Sequence, residues 1–260
     1  MPGDALIHLD EIQLKFGEKI ILDGINLKIF PKDRLVILGQ SGGGKSTMLR
    51  LILGILKPTA GSVWYRHLRI QRLSRSRLNL LRSRIGMVYQ YSALISSMTV
   101  RENLSLPVEE LGRKPKKKIE EMIEENLSIV GMSGTEDKMP SELSGGMRKR
   151  VSLARALMME PELILFDEPS AGLDPIISSV IDELIINLSE KTHATSIIVT
   201  HEMESAFRIA TRMAMLYQGK IIADDLPEHF RNSRNPVVHQ FVTGTTEGPI
   251  METLEHADPS

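Results

Sequence analysis

Residues 5–16 and 19–30 alternate apolar and polar side chains and are separated by Gly17 and Glu18, so they predict two strands of an antiparallel hairpin. Residues 34–39 form a short apolar run, which reads as a buried strand. A glycine-rich turn follows, then helical spacing from about Lys45 to Leu56, broken by Lys57-Pro58-Thr59-Ala60-Gly61. Strand, glycine turn and helix in that order open an α/β unit. Residues 62–65 predict another strand, 74–84 a short helix with Ser74 as its N-cap, and 85–90 a strand.

From there to about Met159 the period changes. Residues 99–106, 116–130 and 145–159 all carry helical spacing, and Ile119, Met122, Ile123, Leu127 and Val130 fall on one helix face. This predicts an inserted helical lobe. Sheet signals return at 163–167 and 196–201, with a helix over 176–189 between them. Residues 212–218 and 220–224 predict a hairpin turning at Gln218 and Gly219. No internal repeat is visible.

Composition narrows this picture without changing it. A chain of 260 residues is near the upper end for one core, so one domain with an inserted lobe is the default. A net charge of -1 offers no global attraction to nucleic acid or to an anionic membrane, and no nucleic-acid partner is expected. The chain has no cysteine, which excludes disulfides and thiolate metal sites. The N-terminus reads as no signal peptide, and the apolar runs are too short to span a bilayer. Work at a membrane would then need another chain to hold this one there.

The segment Gly39-Gln40-Ser41-Gly42-Gly43-Gly44-Lys45-Ser46-Thr47 matches G-x-x-x-x-G-K-[ST]. Glycines let backbone N–H groups converge on phosphate oxygens, and the following helix adds the positive end of its dipole. Lys45 is expected to reach the outer phosphates of ATP, and the Ser46 hydroxyl to bind Mg²⁺. The apolar run 163–166 ends in Asp167 and Glu168, an acid for the Mg²⁺ shell followed by one able to polarise an attacking water.

Leu143-Ser144-Gly145-Gly146-Met147 precedes the helical pattern starting at Arg148. Here the chain resembles the ABC-type ATPases, P-loop enzymes whose signature is LSGGQ; Met147 stands where the family usually has Gln. The resemblance runs from about Leu6 to about Phe241. It implies a RecA-like core, an antiparallel β lobe and a helical lobe at about 91–159, within a nucleotide-binding domain over residues 5–243 followed by a tail over 244–260. It also implies roles. Ser144, Gly145 and Gly146 grip the γ-phosphate held by the opposite subunit of a homodimer. Gln90 joins the Mg²⁺ shell, Asp174 stands in the loop that crosses between subunits, His201 touches the γ-phosphate, and Phe16 stacks on adenine in place of the usual Tyr.

Finer likenesses point to one subfamily. Ser74-Arg75-Ser76-Arg77, Gln90-Tyr91-Ser92-Ala93-Leu94, the stretch from Met139 to Met147, and the ending around Pro236 to Ile250 are similar to the ATPase subunits of Mla-type lipid-asymmetry transporters. The resemblance implies a membrane permease, a lipid-binding capture protein and a small STAS-domain protein as partners. It implies phospholipid as cargo between two membranes, and a place on the cytoplasmic face of the bacterial inner membrane. An ABC ATPase of another transporter, a non-transport ABC ATPase acting on nucleic acid or protein assemblies, and a module that retains ATP without turnover stay as competing readings. Two further expectations concern the surface. Arg66, Arg69, Arg72, Arg75, Arg77, Arg82 and Arg84 form a basic patch, read as a solvated face in preference to a headgroup site. The tail carries two apolar anchors, 240–244 and 248–251, and is expected to dock on the paired subunit; removing residues 245–260 should leave the monomer folded and impair assembly.

Overall fold

The computed structural model describes residues 5–110 and 114–251. Strands β1 (Ile7–Phe16) and β2 (Lys19–Ile29) form the expected antiparallel hairpin, with Phe16 opposite Lys19 at its tip. β3 (Arg34–Leu38) leads through the glycine turn into helix α1 (Lys45–Ile52), which ends earlier than its apolar pattern suggested. β4 (Ala60–Tyr65) pairs with β1 and with the two-residue β5 (Leu68–Arg69). α2 (Arg75–Arg82) is capped as expected by Ser74, whose hydroxyl accepts from Arg77 N–H. β6 (Ile85–Val88) stops two residues short of Gln90.

Three helices follow: α3 (Val100–Glu109), α4 (Lys116–Ile129) and α5 (Gly145–Leu157). α3 opens with a reciprocal cap, Thr99 accepting from Glu102 N–H while Glu102 accepts from Thr99 N–H at 2.7 Å. Then come β7 (Leu163–Asp167), α6 (Pro175–Thr192), β8 (Thr195–Thr200), α7 (Met203–Ile209), β9 (Arg212–Tyr217), β10 (Lys220–Asp225), α8 (Pro227–Arg231) and α9 (Pro236–Thr243). The sequence pattern did not reveal β5, α7, α8 or α9. All four are short, and fewer than three helical turns leave little periodicity to read.

Two sheets result. One is four-stranded and antiparallel, in the order β2-β1-β4-β5; the other has six strands in the order β10-β9-β3-β8-β7-β6, parallel from β9 to β6. Alternate side chains of the central strands enter opposite cores, as strands covered on both faces require. Val36, Leu38, Ile164, Phe166 and Ile198 join the core beneath α3–α7. Leu35, Ile37, Leu163, Leu165, Ile197 and Val199 join the core shared with α1 and the antiparallel sheet. All the strands β3, β8 and β7 thus bring their C-terminal ends to one edge, where a parallel sheet places its ligands.

The arginine patch is partly structural. Arg66 and Arg84 both pair with Glu162, at 2.9 and 3.1 Å. Arg82 donates to the carbonyls of Leu53 and Gly54, and Arg69 to that of Gly61. Four of the seven guanidiniums are therefore committed to this chain's own groups.

The second apolar anchor of the tail seats on the chain's own core. Ile250 is only 8% exposed and lies in the chain's own core with Val238 and Phe230. Gly244 takes φ +67 after α9 and turns the chain back. Ile250 N–H then donates to Gln240 Oε1 at 2.8 Å, while Gln240 Nε2 donates to the Thr245 carbonyl. Gly248 takes φ +137, a backbone conformation that favours glycine, beside Gln240 Oε1. Residues 252–260 of the tail lie outside the described residues. Ile250→Ala is expected to destabilise the isolated chain by about 1–3 kcal/mol, below a central core deletion because the site lies near a chain end. Urea unfolding checks this; an unchanged midpoint would mean that the anchor is not seated on its own core.

Candidate functional site

The glycine turn follows from its packing. A Cβ on Gly39 would sit 2.3 Å from the Leu216 carbonyl, so the chain can pass β9 only without a side chain. Gly44 has φ +100 and packs beneath Ile21 and Leu22, which seats the β1–β2 hairpin beside the turn. α1 begins at Lys45 with no side-chain cap. Its leading N–H groups therefore have no partner within the helix, and they form a donor set suited to an anion.

Lys45 is buried at the mouth of this turn. Its Nζ donates to the carbonyls of Gly39 and Gln40 at 2.8 and 3.0 Å and lies 3.6 Å from Glu168 Oε1. Burial holds its pKa below the usual lysine range, while the carboxylates of Glu168 and Asp167 pull it back up. Ser46 Oγ donates to Asp167 Oδ1 at 2.6 Å, joining α1 to the end of β7. Glu168 is buried, and His201 Nδ1 lies 3.0 Å from its Oε2 without hydrogen-bonding geometry. Glycine turn, cation, hydroxyl, two carboxylates and imidazole thus meet at one end of β3, β7 and β8.

Two hard oxygen donors in contact, Ser46 Oγ and Asp167 Oδ1, suit a small divalent cation of the Mg²⁺ kind. Among the described residues no group of three or more His, Asp or Glu could hold a metal ion. A cation here would complete its shell with water and substrate oxygens, as Mg²⁺ does with nucleotide phosphates. Gln40, Ser41, Gly42, Gly43 and Thr47 line the turn and the first turn of α1; Gly42 has open space where a Cβ would stand. Gln90 lies just beyond β6, and its carbonyl accepts from Lys149. Phe16 is 52% exposed at the hairpin tip.

A second group forms elsewhere. Ser144 caps α5 by accepting from Met147 N–H. Asp174 caps α6, its Oδ1 accepting from Ile176 and Ile177 N–H at 3.0 Å each. A Cβ on Gly146 would meet Ile177 Cγ2 at 2.8 Å and one on Gly145 would meet Leu173 at 3.6 Å, so the starts of the two helices pack together. Ser144, Gly145 and Asp174 are exposed. No hydrogen bond or ion pair among the described residues joins this group to Lys45, Ser46, Asp167, Glu168 or His201.

Sequence reasoning missed Lys149. Within α5 it looks like one more solvated cation of Met147-Arg148-Lys149-Arg150, yet it is 6% exposed and bonds two loop carbonyls. The available signal was its position one turn into the helix that opens at Ser144.

Residues 22–171 match the ABC transporter family. Over 245 residues the chain is 38% identical to the intermembrane phospholipid transport system ATP-binding protein MlaF of Haemophilus influenzae, covering 94% of this chain and 93% of that protein. It is 39% identical over 265 residues to the chloroplastic protein TRIGALACTOSYLDIACYLGLYCEROL 3 of Arabidopsis thaliana, covering 95% and 76%. It is 36% identical over 250 residues to a probable ribonucleotide transport ATP-binding protein of Mycobacterium leprae, covering 96% and 72%. Among solved structures, a dimeric ATP-binding cassette in a post-hydrolysis state, bound to ADP and phosphate, superposes with a TM-score of 0.77 at 31% identity, covering 85% of this chain and 98% of that one.

Proposed function

The chain belongs to the ABC transporter family as an ATP-binding, ATP-hydrolysing subunit, and from that premise we propose that it powers a phospholipid transporter. The single observation that carries the cargo is coverage. The phospholipid-system relative is matched along 93% of its own length, whereas the ribonucleotide-system relative is matched along 72%. The reading places a homodimer beneath a membrane permease on the inner-membrane surface, with a lipid-binding capture protein and a STAS-domain protein as further subunits. Among the described residues no helix is long and apolar enough to cross a membrane, which agrees with attachment through another chain. A groove of about 530 Å³ between α2, β6, α3 and α5, lined by Tyr89, Pro107, Arg155 and Met159, suits the permease contact.

In this reading the uncapped start of α1 and Lys45 take the phosphates of ATP, and Phe16 takes the base. Ser46, Asp167 and Gln90 would hold Mg²⁺, which when bound neutralises charge on the outer phosphates. Glu168 accepts the proton of the attacking water, and His201, against the same carboxylate, orients it toward the γ-phosphate. The exposed Ser144 and Gly145 of one protomer, with the buried Gly146 behind them and Asp174 nearby, complete the site of the other.

Affinity-tagged chain solubilised from native membranes is expected to bring down a polytopic membrane protein and bound phospholipid, identified by mass spectrometry. A complex that carries a nucleotide- or amino-acid-binding subunit instead would refute the cargo. Lys45→Ala is expected to weaken ATP binding by about 10- to 100-fold, the loss of charge-assisted contacts to phosphate. Calorimetric titration checks it, and equal affinity would remove Lys45 from the phosphate site.

A further inference from the structure

Beyond the six-stranded sheet, one face of α5 carries Lys149, Ser152 and Arg155, three residues apart in turn. All three point inward and hold carbonyls of the segment that follows β6. Lys149 Nζ donates to the Gln90 carbonyl at 2.5 Å. Ser152 Oγ donates to the Ser92 carbonyl at 2.9 Å, and Arg155 reaches the carbonyls of Ser92 and Ala93 at 3.1 and 2.7 Å. The segment needs holding, because Ser92 and Ala93 have φ +62 and +48, a left-handed conformation that costs L residues about 1 kcal/mol or more each.

Of the three, Lys149 alone reaches farther. The same ammonium also donates to the Glu168 carbonyl at 3.3 Å. Glu168 is itself left-handed, with φ +48. Two further contacts fix its main chain: its N–H donates to the Val199 carbonyl at 3.0 Å, and its carbonyl also accepts from Ala171 N–H at 3.2 Å. The conformation at Cα decides where the carboxylate of a five-atom side chain points. A buried cation on that carbonyl therefore sets the position of the carboxylate without touching it.

We infer that Lys149 is a positioning residue, a staple by which the helix starting at Ser144 holds the Gln90 segment and the strained Glu168 peptide in the arrangement that aims the Glu168 carboxylate. The inference rests on the reading of Glu168 as the group that activates water. One ammonium joins three elements: the helix bearing the exposed Ser144 cap, the end of β6 and the end of β7. A displacement of the start of α5 is thus passed to Glu168 through one hydrogen bond and to the Gln90 segment through another. The contacts of Lys149 with main-chain oxygens make its role one of donor geometry, so an apolar side chain of equal length cannot substitute.

The test uses full-length chain, with steady-state and single-turnover phosphate release at a temperature where each variant is folded by circular dichroism. Lys149→Met is expected to lower kcat by about 10- to 100-fold, the scale of a misplaced reacting group, with the ATP dissociation constant unchanged within about threefold. Because Lys149 acts through Glu168, adding Lys149→Met to Glu168→Gln is expected to cost nothing further in single turnover. A kcat equal to wild type, or a loss that adds in full to that of Glu168→Gln, overturns the inference. If Lys149→Met does not fold, Lys149→Arg serves: it keeps the charge and moves the donors, so kcat should fall with KM held, and an unaltered kcat overturns the proposal equally. Wild-type chain that releases no phosphate would sink the ATPase reading itself, an outcome distinct from active wild type with an indifferent Lys149.

Discussion

Glu168→Gln is expected to lower ATP turnover by about 10²- to 10⁴-fold, the usual contribution of a general base, while ATP still binds. The carboxylate stands between Lys45 Nζ at 3.6 Å and His201 Nδ1 at 3.0 Å, and it is buried. An amide of the same shape fills the same space and can still hold a water, but it cannot take a proton at neutral pH. Lys45 loses one counter-charge in the variant, yet bound phosphates supply several, so affinity should change by no more than about threefold. Nucleotide then accumulates unhydrolysed, and two chains should stay associated around it. Phosphate release and size-exclusion chromatography with and without ATP are the measurements. Near-wild-type turnover would show that Glu168 is not the base, and the same deficit with lost ATP binding would place it in the phosphate site.

Ser144→Arg is expected to leave ATP binding intact and abolish turnover, because the cation fills the exposed cap that we propose takes the γ-phosphate bound by the partner. The sharper form mixes two inactive chains. With Lys45→Ala on one protomer and Ser144→Arg on its partner, one composite site combines both defects. The other combines the intact glycine turn of the Ser144 variant with the intact Ser144 of the Lys45 variant. Turnover should return to roughly half of wild type per mixed dimer if the two sites act independently. Were Ser144 to serve the glycine turn of its own chain, every site in the mixture would be defective and no activity would return. The geometry favours recovery, since Ser144 and Asp174 are exposed at a place with no bond to Lys45, Asp167 or Glu168.

Much of the architecture was legible because long elements carry a period. The β1–β2 hairpin alternates over twenty residues about Gly17 and Glu18, and α4 shows its buried face as Ile119, Met122, Ile123 and Leu127. The short helices α7, α8 and α9 were not legible. Nor was the fate of Ile250, since a solitary apolar residue beyond Gly248 looks the same whether it anchors on a partner or on its own core.

The family and the candidate chemistry were determined by the sequence alone, because they reside in short contiguous strings. The glycine turn ending in Lys45 and Ser46, the pair Asp167 and Glu168, and Ser144-Gly145-Gly146 are each local patterns whose backbone requirements can be read residue by residue. What only the tertiary structure decided is which of these strings meet, and what holds them. Parallel pairing of β3, β8 and β7 puts Lys45, Ser46, Asp167, Glu168 and His201 at one sheet edge, although more than 150 positions separate the first from the last. It leaves Ser144 and Asp174 facing outward. It also turns Lys149 from a surface cation into a buried donor to the segments that follow β6 and β7. A lysine's role is set by the carbonyls within reach of its ammonium, and those carbonyls belong to segments the chain brings near only when the sheet closes.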